Sequence, residues 1–402
     1  MESTFLTGIR ILNVRGVRNR EIPLSKTKRN HLIITGKNGC GKTSVLVSLA
    51  EFMKYLVSDD YEIDDSEARI AHWKLDLWKV DYRRREEYHK NIKFTELYAR
   101  RRWKDGCIAE ENTPMGIREK FRNGQFILAY YADSRRLDMD PYRDIVKMDM
   151  KQVYGIDEHP AQYIGKYLAN LKFAQAFAKL DGDTKRARDI EKWFQEFQKV
   201  LRRIYDDKKL ELKFDTETYQ FSIQLSDGKN FALNCMSMGY AAVFDIVGDL
   251  LMRMSNRHAC DMEGIVLIDE VETHLHVKLQ REVLPILTTL FPNIQFIVTS
   301  HSPFVLSSVE DAVIYDLEQD IATREGITML PYEAIVEEHF GTSRLSQIIW
   351  GLFQEYKEAL EKWDGKHDRH LRKLEEQLDS IPEFLAQDFV LEYQMLRLDN
   401  RR

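Results

Sequence analysis

No stretch of this sequence approaches 18 uninterrupted apolar residues, so a membrane-spanning helix is not expected. The opening "MESTFLTGIRILNVRG" lacks a basic segment followed by an apolar one, so it does not read as a secretory signal. A basic excess is missing as well. Fifty-nine Lys and Arg stand against 65 Asp and Glu, a formal net charge of −6, which leaves no global nucleic-acid signature and only local patches open. Cysteine is scarce: Cys40, Cys107, Cys235 and Cys260 are scattered with no C-x-x-C, and a reduced cytoplasm is the simplest setting. There is no internal repeat and no low-complexity linker.

The 402 residues, 44% hydrophobic and 31% charged, suffice for one large domain or two ordinary ones. The most informative stretch is "HLIITGKNGCGKTSVLVSLAEF", residues 31 to 52. His31 to Thr35 reads as a buried strand, and Val45, Leu46, Leu49 and Phe52 fall at helical spacing. Between them, Gly36 to Thr43 fits G-x-x-x-x-G-K-[ST]. Strand, glycine loop and helix N-terminus come in the order that lets backbone N–H groups curl around phosphate oxygens. Gly36, Asn38, Gly39, Gly41 and Ser44 are the expected cradle. Lys42 would reach the β and γ phosphates, and the Thr43 hydroxyl would ligate Mg²⁺.

Two short strands are expected in residues 5 to 24, ahead of the phosphate-loop strand. Residues 58 to 120 are charged and aromatic. "GQFILAYYADSRR" (124 to 136) reads as a buried strand ending in a polar turn. Residues 160 to 205 read as helices broken at Asp181-Gly182-Asp183. Next comes an alternating stretch with Tyr219, Phe221, Ile223 and Leu225 on one face and a hairpin turn at Asp227-Gly228. "GIVLIDE" (264 to 270) and "IQFIVTSH" (294 to 301) are buried strands joined by a helix, a β-α-β unit. "SVEDAVIYDLEQD" reads as a strand closing the sheet. From about 331 the chain is mostly helical and charged.

A phosphate loop alone serves many chemistries, and the later motifs narrow them. Asp269 would hold Mg²⁺, and Glu270 is placed to orient and polarise an attacking water. His301 ends the next strand, on the side where open α/β sheets bind ligands, and can contact a γ-phosphate. Ser237-Met238-Gly239 precedes an apolar helix, so Ser237 and Gly239 mark a second anion site. It makes sense if presented to another subunit's nucleotide. Gln125 is a candidate for a further Mg²⁺ contact. Arg135 could reach phosphate or form a surface salt bridge.

In this order, the phosphate loop, signature-like serine, "LIDEVETHLH" and "VTSHSP" resemble the ABC-type ATPase heads of the SMC, Rad50 and RecF group. The subgroup carrying DE-x-E-x-x-LH and TSHSP is the nearest. It includes OLD-family nucleases and ATPases of bacterial anti-phage systems such as Septu (PtuA-like) and PARIS. The resemblance covers residues 5 to 50 and 210 to 320. It implies a head-to-tail dimer holding two ATP molecules, each bound by Lys42 and Thr43 of one subunit and Ser237 of the other. Glu272 to His276 would form the loop crossing that interface. His274 and His276 lack the companions of a zinc site. The signature departs from the family pattern: Met-Ser-Met-Gly-Tyr stands for Leu-Ser-Gly-Gly-Gln.

The expected fold is α/β, an ABC-type P-loop ATPase head: a mixed sheet with flanking helices, an inserted helical region and a helical C-terminal tail. The core is expected in 1–54, 124–136 and 210–330, the insertion in 55–123 and 137–209, and a partner-binding tail in 331–402. The insertion is too long for a transport head and too short for an SMC arm. About a hundred residues follow His301, with no Toprim, HNH or PD-(D/E)xK pattern. The implied activity is therefore ATP hydrolysis with Mg²⁺, in a homodimer or higher oligomer that regulates a separate nuclease or toxin in anti-phage defence. Two alternatives are a DNA-repair ATPase and an ATP-stabilised scaffold that cages a toxin. Nucleic acid contact could come from Arg83-Arg84-Arg85 and Arg100-Arg101-Arg102, interleaved with Trp73, Trp78, Tyr82, Tyr88, Tyr98 and Trp103. Glu86, Glu87 and Glu96 favour a solvated helical lid instead.

Overall fold

The computed structural model describes residues 3–58, 106–113, 116–135, 139, 150–254, 262–323, 347–361, 369–379 and 393–397. The aromatic and arginine-rich segment from Trp73 to Trp103, and Cys260, lie outside them. The N-terminal alternation folds as β1 (Leu6–Val14), and Arg15-Gly16, both at positive φ, turns the chain into antiparallel β2 (Val17–Pro23). β3 (His31–Thr35) leads through the glycine loop into α1 (Lys42–Val57). β4 (Gly106–Glu111) and α2 (Gly116–Arg122) precede β5 (Phe126–Tyr131). α3 (Ile164–Leu180) and α4 (Thr184–Tyr205) follow, the latter capped by Asp183, whose carboxylate accepts the Arg186 N–H at 3.0 Å. β6 (Glu211–Phe214), β7 (Phe221–Gln224) and β8 (Asn230–Ala232) make a small antiparallel sheet. Then come α5 (Met238–Met254), β9 (Glu263–Ile268), α6 (Val277–Leu290), β10 (Ile294–Thr299), the single turn α7 (Pro303–Leu306), β11 (Ala312–Asp316) and β12 (Ile321–Thr323).

The central sheet runs β12-β11-β3-β10-β9-β5. Its five strands from β11 to β5 are parallel, and β12 is antiparallel at the edge. The parallel strands are apolar on both faces, as burial on two sides requires. Leu32, Ile34, Ile265, Leu267 and Ile297 pack on one face against Val45, Leu46, Leu49 and Met53 of α1, which is covered beyond by Leu6, Ile9 and Ile11 of β1. A buried ion pair within α5 ties that helix to β5 through hydrogen bonds. Asp249 takes Arg253 Nε and the Tyr131 hydroxyl, each at 2.6 Å, while Arg253 also donates to the Leu128 carbonyl at 3.1 Å. Both charges are shielded from water but fully partnered, which makes breaking either side costly.

Three expectations shift. β4 pairs with β1 in a separate three-stranded sheet, β2-β1-β4, so residues 106–111 form a strand where a helical insertion was expected over 55–123. Tyr219 has φ 58 and is 38% exposed. It sits in the turn before β7, and only Phe221 and Ile223 of the expected apolar face are buried. β11 does not close the sheet, because Asp316 to Asp320 folds back and adds β12 outside it. The chain divides into compact units at Met329/Leu330. In the second unit, α8 (Gln347–Glu361) and α9 (Arg369–Asp379) bury Phe353, Tyr356, Leu371, Leu374 and Leu378 with Tyr393. No described helix is long and apolar enough to cross a membrane.

Candidate nucleotide site

Parallel pairing brings the C-terminal ends of β3, β10, β9 and β5 to one edge of the sheet. The loops that leave that edge carry the predicted chemistry. Gly36, Gly39 and Gly41 have φ of 135°, 84° and 103°, a region that side chains resist, so the loop needs glycine there. A Cβ on Gly36 would also stand 2.9 Å from the Cys40 sulfur. Gly41 caps α1, with Asn38 and Gly39 exposed on the loop crown. Lys42 is buried, and its Nζ donates to the carbonyls of Gly36 (2.9 Å) and Lys37 (3.0 Å), which pins the ammonium across the loop. Thr43 is exposed at the first helical turn, with Ser44 beside it half-buried.

The carboxylates follow β9. Asp269 is fully buried. Its Oδ1 accepts the hydroxyls of Thr299 (2.6 Å) and Thr43 (3.3 Å), while its Oδ2 is buried with no hydrogen-bond partner. A buried carboxylate oxygen without a donor costs about 1–3 kcal/mol or more. Beside a threonine hydroxyl, that vacancy has the oxygen chemistry of a Mg²⁺ ligand. The residues therefore fit the metal through Asp269 and Thr43. Glu270 sits at φ 42°, a left-handed conformation that costs a residue with a Cβ roughly 1–3 kcal/mol. Its N–H donates to Thr299 Oγ1 at 2.7 Å, and its Oε2 accepts the Thr273 hydroxyl at 3.3 Å. His301 lies among Lys42, Glu270 and Asp269. Burial first and then the Lys42 charge hold its imidazole below its ordinary pKa, against the two carboxylates, which favours the neutral ring.

Thr299 is a residue that motif reading passed over. One hydroxyl serves both members of the Asp-Glu pair, and the Thr299 carbonyl accepts the Val271 N–H at 3.1 Å. Its signal was its place in "VTSHSP", at the end of a strand neighbouring β9.

Two predicted contacts are not brought together. Gln125 is exposed at the N-terminal end of β5, roughly 20 Å along the strand from the carboxylate edge. Strand direction, invisible in the sequence, takes it out of the metal site. Arg135 does reach the site edge, but it is neither exposed nor free to grip phosphate. It is 8% exposed, and its guanidinium donates to main-chain carbonyls of Ala132, Asp269, Glu270 and Val271.

Ser237 is exposed at the start of α5 next to Met238, which is 60% exposed. Gly239 faces the loop after β9: a Cβ there would stand 3.0 Å from the His274 carbonyl. Tyr240 stacks on Tyr205 at 4.1 Å and meets the His276 ring edge-on, so the tyrosine of the departed signature is a packing residue. His276 caps α6, its Nδ1 accepting the Leu279 N–H at 3.4 Å. His274 is exposed at φ 67.

The phosphate-loop strand and the carboxylate strand flank β10, and all three deliver their motifs to one edge. The fold is mixed α/β, a parallel-rich sheet with flanking helices and a phosphate loop at its strand-end edge. Residues 135–307 of this chain match the family described as "AAA domain, putative AbiEii toxin, Type IV TA system". The chain is 23% identical to a Septu protein PtuA of Bacillus mycoides over 317 residues, 77% of this chain and 40% of that protein. It is 32% identical to the Retron Ec83 probable ATPase of Escherichia coli over 158 residues, 36% of this chain and 29% of that one. It thus spans less than half the length of these relatives. Among solved structures, the SMC head domain from Thermotoga maritima aligns over 79% of this chain and 97% of its own, at 11% identity and a TM-score of 0.37.

Proposed function

We propose that the chain binds and hydrolyses ATP with Mg²⁺, closes head-to-tail on a second copy around the nucleotide, and thereby controls a separate effector in anti-phage defence. The observation that carries the catalytic part is the unpartnered, buried Asp269 Oδ2 beside Thr43, with Lys42, Glu270 and His301 around it. In this reading the loop N–H groups and Lys42 bind the phosphates. Asp269 and Thr43 would hold Mg²⁺, which when bound would supply positive charge against the phosphate oxygens. Glu270 orients the attacking water and accepts its proton, and neutral His301 contacts the γ-phosphate. Support for the defence role comes from the relatives named Septu PtuA and retron ATPase. The exposed Ser237 at a helix start supports a site completed by a second copy.

The test is steady-state phosphate release together with light scattering in Mg-ATP. Wild type should turn over ATP. Glu270→Gln should lose at least about 100-fold in rate, retain ATP, and accumulate as a dimer. Equal turnover in the two proteins, or no ATP binding by wild type, would sink the reading. Affinity capture of the chain in Mg-ATP from its own cells should bring down a nuclease or toxin in stoichiometric amount. Nuclease-sensitive DNA with no protein partner would point to a repair-type ATPase instead.

A further inference from the structure

We infer that Arg135 is the positioning residue of the catalytic turn: it holds Glu270 in place by gripping the main chain on either side of it. The inference rests on the reading of Glu270 as the water-activating base. Three consecutive carbonyls after β9 point to one guanidinium. Arg135 Nη1 donates to Asp269 O at 2.8 Å, and Nη2 donates to Glu270 O at 3.2 Å and Val271 O at 2.9 Å. A second Nη1 contact, to Ala132 O at 3.3 Å, ties the arginine to its own turn after β5.

The turn needs such a grip. Glu270 is left-handed, and a non-glycine residue stays there only when its surroundings over-determine it. Thr299 fixes the Glu270 N–H, and Arg135 fixes its carbonyl and those before and after. The two peptide planes that aim the Glu270 side chain are thereby both held. Arg135 is also an expensive choice for mere packing. Burial lowers its pKa, and the charges of Asp245, Glu272, Asp269 and Asp133 oppose that effect, yet its described hydrogen bonds all end on neutral carbonyls. Its Nε has no partner. A rigid planar fork suits three carbonyls in a row; a lysine ammonium on a flexible stem does not. Since the guanidinium is spent on the main chain, Arg135 acts through Glu270 and touches no phosphate.

The experiment measures kcat, KM, ATP affinity and thermal unfolding for Arg135→Lys, with Glu270→Gln and the double variant alongside. Arg135→Lys should keep ATP affinity within about 2-fold while kcat falls at least about 30-fold, as a misplaced catalytic group predicts. In the Glu270→Gln background the same change should cost nothing more, because the group being positioned is already lost. A kcat within about 3-fold of wild type, or losses that multiply in the double variant, would overturn the assignment. If Arg135→Lys does not fold, Arg135→Met, which removes the buried charge at similar length, reads the same split. Failure of both to fold would make Arg135 a packing residue and also overturn it. Wild-type turnover no faster than that of Glu270→Gln would sink the ATPase reading and this inference together. Normal wild-type turnover with an unaffected Arg135→Lys would sink this inference alone.

Discussion

Two helix N-termini in this chain can face phosphate, and they are built in opposite ways. At the start of α1 everything is preorganised: three left-handed glycines, a buried Lys42 with two loop carbonyls on its ammonium, and a buried carboxylate next to Thr43. At the start of α5, Ser237 and Met238 face outward, and the order lies behind them, in Gly239 against His274 and Tyr240 against Tyr205. The difference is what the proposed shared site would require. In the proposed reading, one end is ready before nucleotide arrives, and the other stays open for the nucleotide of a second copy.

Breaking the prepared end should give the largest effect. Lys42→Ala removes charge-assisted contacts worth about 1.5–3 kcal/mol each, so ATP affinity should fall roughly 100-fold or more in a fluorescent-nucleotide titration. Full affinity would dissolve the contrast at its source. The open end should respond differently. Ser237→Ala should leave ATP affinity of the dilute chain within about 2-fold and slow hydrolysis at high protein concentration by about 10-fold or more. If it weakened ATP binding in dilute solution as Lys42→Ala does, both helix ends would serve one nucleotide within one chain.

A smaller effect, in pH, separates the two ends by sign. His31 opens the strand that feeds the phosphate loop. Its Nδ1 accepts the Phe296 N–H at 3.1 Å, and burial, then Arg29, pushes its pKa down to about 4 against Asp311. The unfolded imidazole takes up a proton below about 6.5, so this side loses stability as pH falls from 6.5 toward 4, roughly 2 kcal/mol by pH 5. Asp245, on α5, is pushed up to about 7 by burial and then by Asp249, against Arg135. The unfolded carboxyl ionises above about 3.9, so this side loses stability as pH rises from there through 7, by a few kcal/mol at most. Thermal unfolding of His31→Gln should show less loss at pH 5 than wild type, and Asp245→Asn less loss at pH 8. Parallel shifts in the two variants would remove the contrast.

The smallest expected effect concerns the backing of the open end. Gly239→Ala puts a Cβ 3.0 Å from the His274 carbonyl, so the loop after β9 must give by a few tenths of an ångström. Its unfolding midpoint should move by only a few degrees, with ATP affinity unchanged, in a thermal melt run beside a nucleotide titration. A loss of ATP affinity matching Lys42→Ala would show that the loop after β9 couples the two ends within a single chain.

Much of the prepared end was legible because its determinants are local. The phosphate loop is a run of eight residues whose glycines answer their own backbone angles. The strand before it and the helix after it follow from apolar spacing. Asp269, Glu270 and His301 were legible as strand-end residues. Gln125 was misplaced because periodicity finds a strand but not which of its ends meets the carboxylates; β5 runs parallel to β9, so that end is Tyr131 and Gln125 lies at the opposite one. Arg135 was misjudged because a polar turn after a strand looks exposed, as Asp133 and Ser134 are, whereas the arginine that ends it is buried against the loop that follows β9. β4 was hidden because its sheet partner among the described residues, β1, lies about a hundred residues earlier.

By itself, then, the sequence determined the parts whose physics is settled within a turn or a strand: the glycine cradle, the lysine and threonine behind it, and the apolar strands ending in chemistry. The tertiary structure alone decided which strand ends meet, that one threonine thirty residues downstream holds the Asp269 carboxylate and the Glu270 N–H, and that a buried arginine holds their turn. Those contacts join segments far apart in the chain. Hydrogen bonds act over about 3 Å, and only the packed parallel sheet brings such segments that close.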